Sequence, residues 1–280
     1  MKDYYTHLYL SPHFDDAALS CGGQIFRHTA GDDSVLVVTV ATAEPPPGPH
    51  SETVASLHRR WADSLGGETP ASIVAERQAE DVAAFAVLGA DVLHLPFLDC
   101  IYRCDEDGAP LYPGPTDMFG ATNPTDAADE ALIAALAGLP RAGRVYLPLG
   151  VGGHVDHALT RRAGERAFAE VTYYEDYPYT MKPGALDVVL PPAGRGNWQA
   201  ETVWLTETAL AAKTESVSAY RSQLSSFFAG PDDLAAKLRE EGRRVLADAQ
   251  AAGEAAPAWA IGGERLWRRR ASFTLHSFEQ

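Results

Sequence analysis

The sequence has few of the features that place a protein at once. Three cysteines, Cys21, Cys100 and Cys104, are too few and oddly numbered for a disulfide framework. Cys100 and Cys104 are four apart, but no second pair completes a structural zinc site. Positive charge is scarce: 23 Lys and Arg stand against 38 Asp and Glu, for a formal net charge of −15. That balance argues against a nucleic-acid or anionic-membrane partner, which would want a basic face. No apolar run is long enough to span a bilayer, so membrane insertion is not expected. Met1 to Tyr5 lacks the basic and long apolar regions of a signal peptide, and a cytoplasmic location is expected. Familiar catalytic signatures are missing too. There is no HExxH, no GxSxG and no GxGxxG after the first strand, and Gly22-Gly23 lacks the Lys-Ser/Thr of a phosphate loop.

What is present is an alternation of strand and helix signals. With 280 residues, 46% of them hydrophobic, the chain can bury a substantial core. His7 to Leu10 reads as a strand and Leu19 to Phe26 as a helix. Ser34 to Ala41 is a β-branched run, so a buried, parallel strand. A proline-rich break from Ala43 to Pro49 precedes helical patterns over Val54–Leu65 and Ile73–Leu88, the second stopped by Gly89. Asp91–Phe97 reads as a third strand, Leu98–Thr125 as a long loop and Asp126–Leu139 as a helix. Arg144–Leu149 is a fourth strand, followed by a helix to Ala169 and an aromatic fifth strand, Val171–Tyr179. Residues 181–200 read as loop and Glu201–Thr206 as a late antiparallel edge strand. Helices are expected over Glu207–Phe228 and Asp232–Ala252, and a short last strand near Glu264–Arg270. The order predicts an α/β fold, Rossmann-like, with a mostly parallel sheet and helices on both faces. We expect one domain over residues 1–280, its core at about 1–180 and a C-terminal elaboration at about 181–280.

Two stretches carry chemistry. Ser11-Pro12-His13-Phe14-Asp15-Asp16 lies where the first strand hands over to a helix. His154-Val155-Asp156-His157 lies in the same position after the fourth strand. In open α/β sheets, ligands bind outside the carboxyl ends of the strands. Two such ends share one sheet edge, so His13, Asp16 and His157 can meet although far apart in sequence. Two histidines and a carboxylate make a common catalytic zinc set with an open fourth position. Zinc lowers the pKa of bound water to about 7. Asp15 is then free to act as general base. His154 can stabilise an oxyanion or protonate a leaving amine, and Asp156 can orient a histidine through its ring N–H. The alternative for the first stretch is a capped turn with Asp15 or Asp16 as helix N-cap. For the second it is a solvated histidine pair.

These residues resemble the LmbE-like N-deacetylases, also called the PIG-L family. The first stretch, with Gly22-Gly23, is similar to the (A/S)PHPDDE…GG signature, and the second to the HPDH motif. Arg77-Gln78-Ala79-Glu80-Asp81 resembles the family's RxxE(D) helix, and Asp99 takes the place of its acidic residue after the third strand. Tyr220 to Gln223 and Glu264 to Trp267 resemble the tail of some members. The resemblance implies Zn2+, or another divalent ion, held by His13, Asp16 and His157. It implies Asp15 as base, His154 as the oxyanion or acid histidine, and removal of acetyl from an N-acetylglucosamine-type conjugate. Four positions depart from the pattern. Phe14 and Val155 replace prolines, Ala17 replaces a glutamate, and Gly152 stands where some members have an oxyanion tyrosine.

A sugar site needs hydroxyl-binding carboxylates, arginines and aromatic faces. Arg77, Asp99 and Arg103 are the substrate-binding candidates, with Trp61, Tyr102, Tyr177 and Tyr179 as stacking walls. Each has a purely structural alternative: Trp61 as a helix anchor, Arg77 paired with Glu80 or Asp81 at helical spacing, the tyrosines as a buried strand face. Arg268-Arg269-Arg270 reads as an ion-pairing surface. The expected partner is a small N-acetylated amino sugar, and a homo-oligomer is left open. Two other functions stay open: hydrolysis of a different bond, such as a phosphoester, and a non-catalytic sugar-binding module.

Overall fold

The computed structural model describes residues 1–48, 50–65 and 69–270. Pro49, at the end of the expected proline-rich break, and the last ten residues of the expected elaboration lie outside the described residues. The chain runs β1 (Tyr4–Ser11), α1 (Asp16–Ala30), β2 (Val35–Thr39), α2 (Glu52–Leu65), α3 (Pro70–Val87), β3 (Asp91–His94), α4 (Ala128–Ala137), β4 (Arg141–Pro148), α5 (Val155–Ala167) and β5 (Thr172–Tyr174). It continues through α6 (Ala185–Val189), β6 (Trp198–Leu205), α7 (Glu207–Ser218), α8 (Arg221–Phe227), α9 (Pro231–Ala251) and β7 (Gly262–Arg269). No helix among the described residues is long and apolar enough to cross a membrane.

The strands form one sheet in the order β3-β2-β1-β4-β5-β7-β6. β1 to β5 pair in parallel, and β7 pairs antiparallel with both β5 and β6. This is the α/β class expected, and the period-two alternation of strand side chains explains its layers. Tyr9, Val35 and Val37 face one core with residues of α1, α3, α7 and α9. Leu8, Leu10, Leu36 and Val38 face the other, with residues of α4 and α5. Strand order reverses between β1 and β4: β1 leads outward to β2 and β3, and β4 leads the other way to β5. A crevice opens at such a switch point.

Local chemistry sets several boundaries. α3 begins at Pro70, earlier than hydrophobic periodicity indicated, because Thr69 Oγ1 accepts the Ser72 amide (3.1 Å) and Pro70 suits a first helical turn. β3 stops at His94, short of the expected Phe97, because Pro96 cannot donate to the ladder. β5 is three residues long, not nine: Glu175 leaves the ladder, and its carboxylate accepts from Trp267 and Arg244. The helix expected over 207–228 is two helices, because Tyr220 turns inward and donates to Asp81 (2.7 Å). Residues 185–189 within the expected loop form the short α6.

The C-terminal residues are tied to the opening motif. Glu264 on β7 accepts from the Gly23 amide (3.0 Å), the Gln24 amide (2.8 Å) and Lys213 Nζ (2.7 Å). A Cβ on Gly23 would lie 2.7 Å from the Leu205 side chain, so glycine permits this close approach. Arg268 and Arg269 pair with Glu201 and Glu165, as an ion-pairing surface would.

Candidate active site

β1 ends in a corner built by one hydroxyl. Ser11 Oγ donates to the His13 carbonyl (2.6 Å) and accepts the Ala17 amide (3.0 Å). The turn starts α1 at Asp16, with Asp15 in the N-cap position. Asp15 makes no side-chain cap bond, so the capped-turn reading fails for it, and its carboxylate lines a cavity of about 150 Å³. Asp16 Oδ2 accepts the His13 amide (2.8 Å).

Asp16 Oδ2 is also the point on which two imidazoles converge. His13 Nδ1 lies 3.1 Å from it and His157 Nε2 3.3 Å. Each ring is held from its other nitrogen by a further carboxylate. His13 Nε2 donates to Asp156 Oδ2 (3.0 Å), and His157 Nδ1 donates to Asp176 Oδ1 (2.7 Å). Asp156 thus holds the His13 ring, whereas the sequence pointed to a histidine of its own stretch. Asp156 is itself fixed by the Cys100 amide (3.0 Å) and by Arg103 Nη2 at 2.6 Å.

The arrangement is strongly polarised. Burial alone would lower the pKa of His13, but Asp99, Asp156 and Asp16 push it well above the ordinary value. Burial is likewise outweighed at His157, where Asp16 and Asp176 push the pKa up to about 10. Burial raises the Asp16 pKa, yet His157 and His13 hold it well below the usual carboxylate range. The next residue goes the other way. Burial, then the charge of Asp16, raises Asp15 to about 6, with Arg77 and His13 pulling back. Two adjacent carboxylates are thus driven apart in character.

His154 is the N-cap of α5, and its Nδ1 accepts the Asp156 amide (3.2 Å). That bond needs Nδ1 unprotonated, which leaves the proton on Nε2. Burial and the neighbouring His13 lower its pKa to about 3. The geometry thus leaves His154 Nε2 as the nitrogen free to donate.

The donor set fits a divalent metal ion. His157 Nε2 is buried without a hydrogen-bond partner, beside a carboxylate held well below its usual range. The nitrogens turned toward Asp16 are held protonated only by surrounding negative charge, and a metal ion can replace such protons. One ring nitrogen each from His13, His154 and His157 lies within 4.8 Å of the other two, so three imidazoles border the same space.

Other expected residues divide. Arg77, Asp99, Trp61, Tyr177 and Tyr179 line the cavity with His13, Asp15, Asp16 and His154. Arg77 does not pair with Glu80 or Asp81: Glu80 accepts from Ser222, and Asp81 from Thr39, His94 and Tyr220. Its guanidinium lies over Trp61 (4.3 Å) and Phe14 (5.0 Å). Phe14 thus supplies a face to an arginine, where the family pattern has proline. Arg103 is a correction. It sits behind the wall, buried, its guanidinium held by Asp126, Asp156 and the Leu98 carbonyl. Tyr102 turns away to accept or donate at His58 Nε2 (2.6 Å).

Asp176 escaped the sequence reading, and Arg60 lines the cavity from α2. Asp176 had one usable signal, a carboxylate just past a strand on the same sheet edge. Tyr179 was foreseen only as a wall. A Cβ at Gly152 would lie 2.4 Å from the Tyr179 ring, and Gly152 has φ +90°. The Tyr179 ring therefore fills the space that a side chain at 152 would need.

Comparison with known proteins places the chain in a family. The model of the GlcNAc-PI de-N-acetylase family, PIG-L, matches residues 8–168, more than half of the chain. The chain belongs to the PIG-L family. Among PIG-L-like relatives, the 2'-N-acetylparomamine deacetylase of Niallia circulans is 30% identical over 193 residues, 64% of this chain and 69% of that protein. The structure of the zinc-inhibited form of teicoplanin deacetylase Orf2 superposes with a TM-score of 0.72 at 26% identity, covering 95% of this chain and 99% of that one. The A40926 pseudoaglycone deacetylase Dbv21 gives 0.67 at 26% identity, covering 94% and 96%.

Proposed function

We propose that this PIG-L protein is a zinc-dependent hydrolase that removes the acetyl group from an N-acetylated amino sugar or its conjugate. The observation that carries this reading is the convergence of His13, Asp16 and His157 beside a carboxylate, Asp15, with no cap bond of its own. The relatives named for deacetylation of acetylparomamine, teicoplanin and A40926 pseudoaglycone support the substrate class.

In this reading His13, Asp16 and His157 hold the ion, and Asp156 and Asp176 fix the two rings. A divalent ion there supplies Lewis acidity, which activates water at neutral pH and polarises the acetamide carbonyl. Asp15 takes the proton of the attacking water and delivers it to the departing amine. His154 donates from Nε2 to the carbonyl oxygen as it gains negative charge. Tyr179 is the second donor. Burial, and then the charges of Asp16 and Asp15, raise its pKa, so its hydroxyl keeps its proton. It would do from beyond β5 what a tyrosine at position 152 does in other members. Asp99 and Arg77 face the sugar, while Arg103 acts at one remove, through Asp156 on His13.

The test is acetate release by metal-replete protein over a panel of N-acetylglucosamine conjugates. Asp15→Asn should lower turnover by about 10²–10⁴ with the metal content unchanged. Normal turnover by that variant would remove Asp15 as the base. Phosphate release in place of acetate would favour the other hydrolase. Tight glycan binding with bound metal and no acetate would favour the binding module.

A further inference from the structure

The segment that leaves β5, Glu175–Thr180, carries two residues of the site. Asp176 accepts from the His157 ring (2.7 Å) and from the Val151 amide (2.8 Å). Tyr179 lies edge to face with His157, at 5.7 Å between ring centroids and 85° between planes. The two ends of the segment turn the other way, toward α9. Glu175 and Thr180 are both buried. Glu175 accepts from Arg244 Nη2 (2.8 Å) and from the Trp267 indole N–H (2.9 Å). Thr180 Oγ1 donates to Glu241 Oε1 (3.2 Å). Arg244 in turn grips Glu241 through Nε (2.8 Å) and Nη2 (2.9 Å). One guanidinium therefore ties down both ends of the segment, Glu175 directly and Thr180 through Glu241.

Stability alone is a weak reason for such a cluster. Desolvating two buried carboxylates is costly, and apolar packing of similar volume is often as stable. What a forked arginine–carboxylate pair supplies is direction, because it fixes angle as well as distance. Tyr179–Met181 is a single 3-10 turn. With three residues per turn, successive side chains project about 120° apart. Thr180 pinned to α9 therefore sets the azimuth of Tyr179. The Tyr179 ring meets Phe119 and His157 edge to face, contacts that hold no hydroxyl in place. The aim of its hydroxyl rests on the backbone beneath it.

We propose that Thr180, Glu241 and Arg244 are positioning residues that aim the Tyr179 hydroxyl at the acetamide carbonyl. α9 thereby serves the reaction from outside the cavity. The inference rests on the deacetylase reading, with Tyr179 as its second oxyanion donor. Glu175 anchors the other end of the segment, beside Asp176, so loss of the Thr180 bond leaves the support of His157 in place.

Removing Arg244 would strand two buried carboxylates and endanger the fold. Thr180→Val removes one hydroxyl and leaves the Arg244–Glu241 pair whole. On an N-acetylglucosamine conjugate, we expect Thr180→Val to lower kcat about tenfold with KM and zinc content unchanged, and Thr180→Ser to restore it. In a Tyr179→Phe background, Thr180→Val should lower kcat no further, because the group it aims is gone. Amide hydrogen exchange in the peptide spanning Tyr179–Lys182 reads the anchoring without turnover: about tenfold faster in Thr180→Val and normal in Thr180→Ser. Unchanged kcat in Thr180→Val, a loss that falls on KM, or an equal loss in the Tyr179→Phe background would each overturn the proposal while leaving the deacetylase reading intact. Unchanged exchange in Thr180→Val would overturn it as well. No acetate from the intact protein on any conjugate, with faster exchange in Thr180→Val, would overturn the deacetylase reading and leave the anchoring alone standing.

Discussion

Two histidine–aspartate clusters sit at opposite ends of β1. At the amino end, His7 Nε2 lies 3.3 Å and His28 Nδ1 3.8 Å from Asp33 Oδ2. Just past the carboxyl end, His13 and His157 stand at 3.1 and 3.3 Å from Asp16 Oδ2. Judged by separation alone, the two are close to equivalent. Their ring planes are not. His7 and His28 stack at 3.6 Å between centroids with 19° between planes, so their in-plane lone pairs run side by side. His13 makes angles of 47° with His157 and 85° with His154, so the lone pairs there can cross. The surroundings differ as well. The Asp33 side chain is 42% exposed, whereas Asp16 is buried among histidines that further carboxylates hold charged. The first cluster is held neutral by burial; the second demands positive charge. Both clusters bring ligand-type residues together; convergent lone pairs and an anionic, buried setting are what set the second apart.

The contrast can be broken at several points. The largest effect is expected at Tyr179. If its hydroxyl is an oxyanion donor, Tyr179→Phe should lower kcat by about 10²-fold or more, with KM and metal content little changed. An unchanged kcat would return Tyr179 to a passive wall. Next is Asp176, which holds His157 from behind. Asp176→Asn should weaken metal affinity by about 10–100-fold in a competition titration with a chelator. Undiminished affinity would mean that His157 needs no such support. The smallest effect belongs to the amino-end cluster. Burial, then His7, lowers the His28 pKa from 6.5 to about 4. The fold prefers the neutral ring, so this contribution is complete above pH 6.5 and is lost as pH falls toward 4. His28→Gln should flatten the decline of Tm across that window. Matching Tm profiles for the two proteins would contradict the assignment.

Much of the active edge was legible because it rests on simple periodicities. A β-branched run after a strand–helix pair implies parallel pairing, and parallel pairing brings His13 and His157 to one edge. The fold of the first five strands follows from the same pattern. What was not legible depends on long-range order. Nothing local says that β7 inserts between β5 and β6, since antiparallel partners at a sheet edge carry no sequence mark of their order. The break between α7 and α8 needs Asp81, 139 residues away, to draw Tyr220 inward. Arg103 was misread for a related reason. An arginine in a long loop beside an acidic residue looks substrate-facing until Asp126 and Asp156 are seen to enclose it. Phe14, unexplained by the motif, makes sense only with α3 in place, as one of two rings on Arg77.

The most direct measurement is metal content per chain for the intact protein, His157→Ala and His28→Ala after zinc loading and dialysis. The account predicts about one bound ion in the intact protein and in His28→Ala, and none in His157→Ala. An ion retained by His157→Ala and lost from His28→Ala would place the metal at the other end of β1 and contradict it.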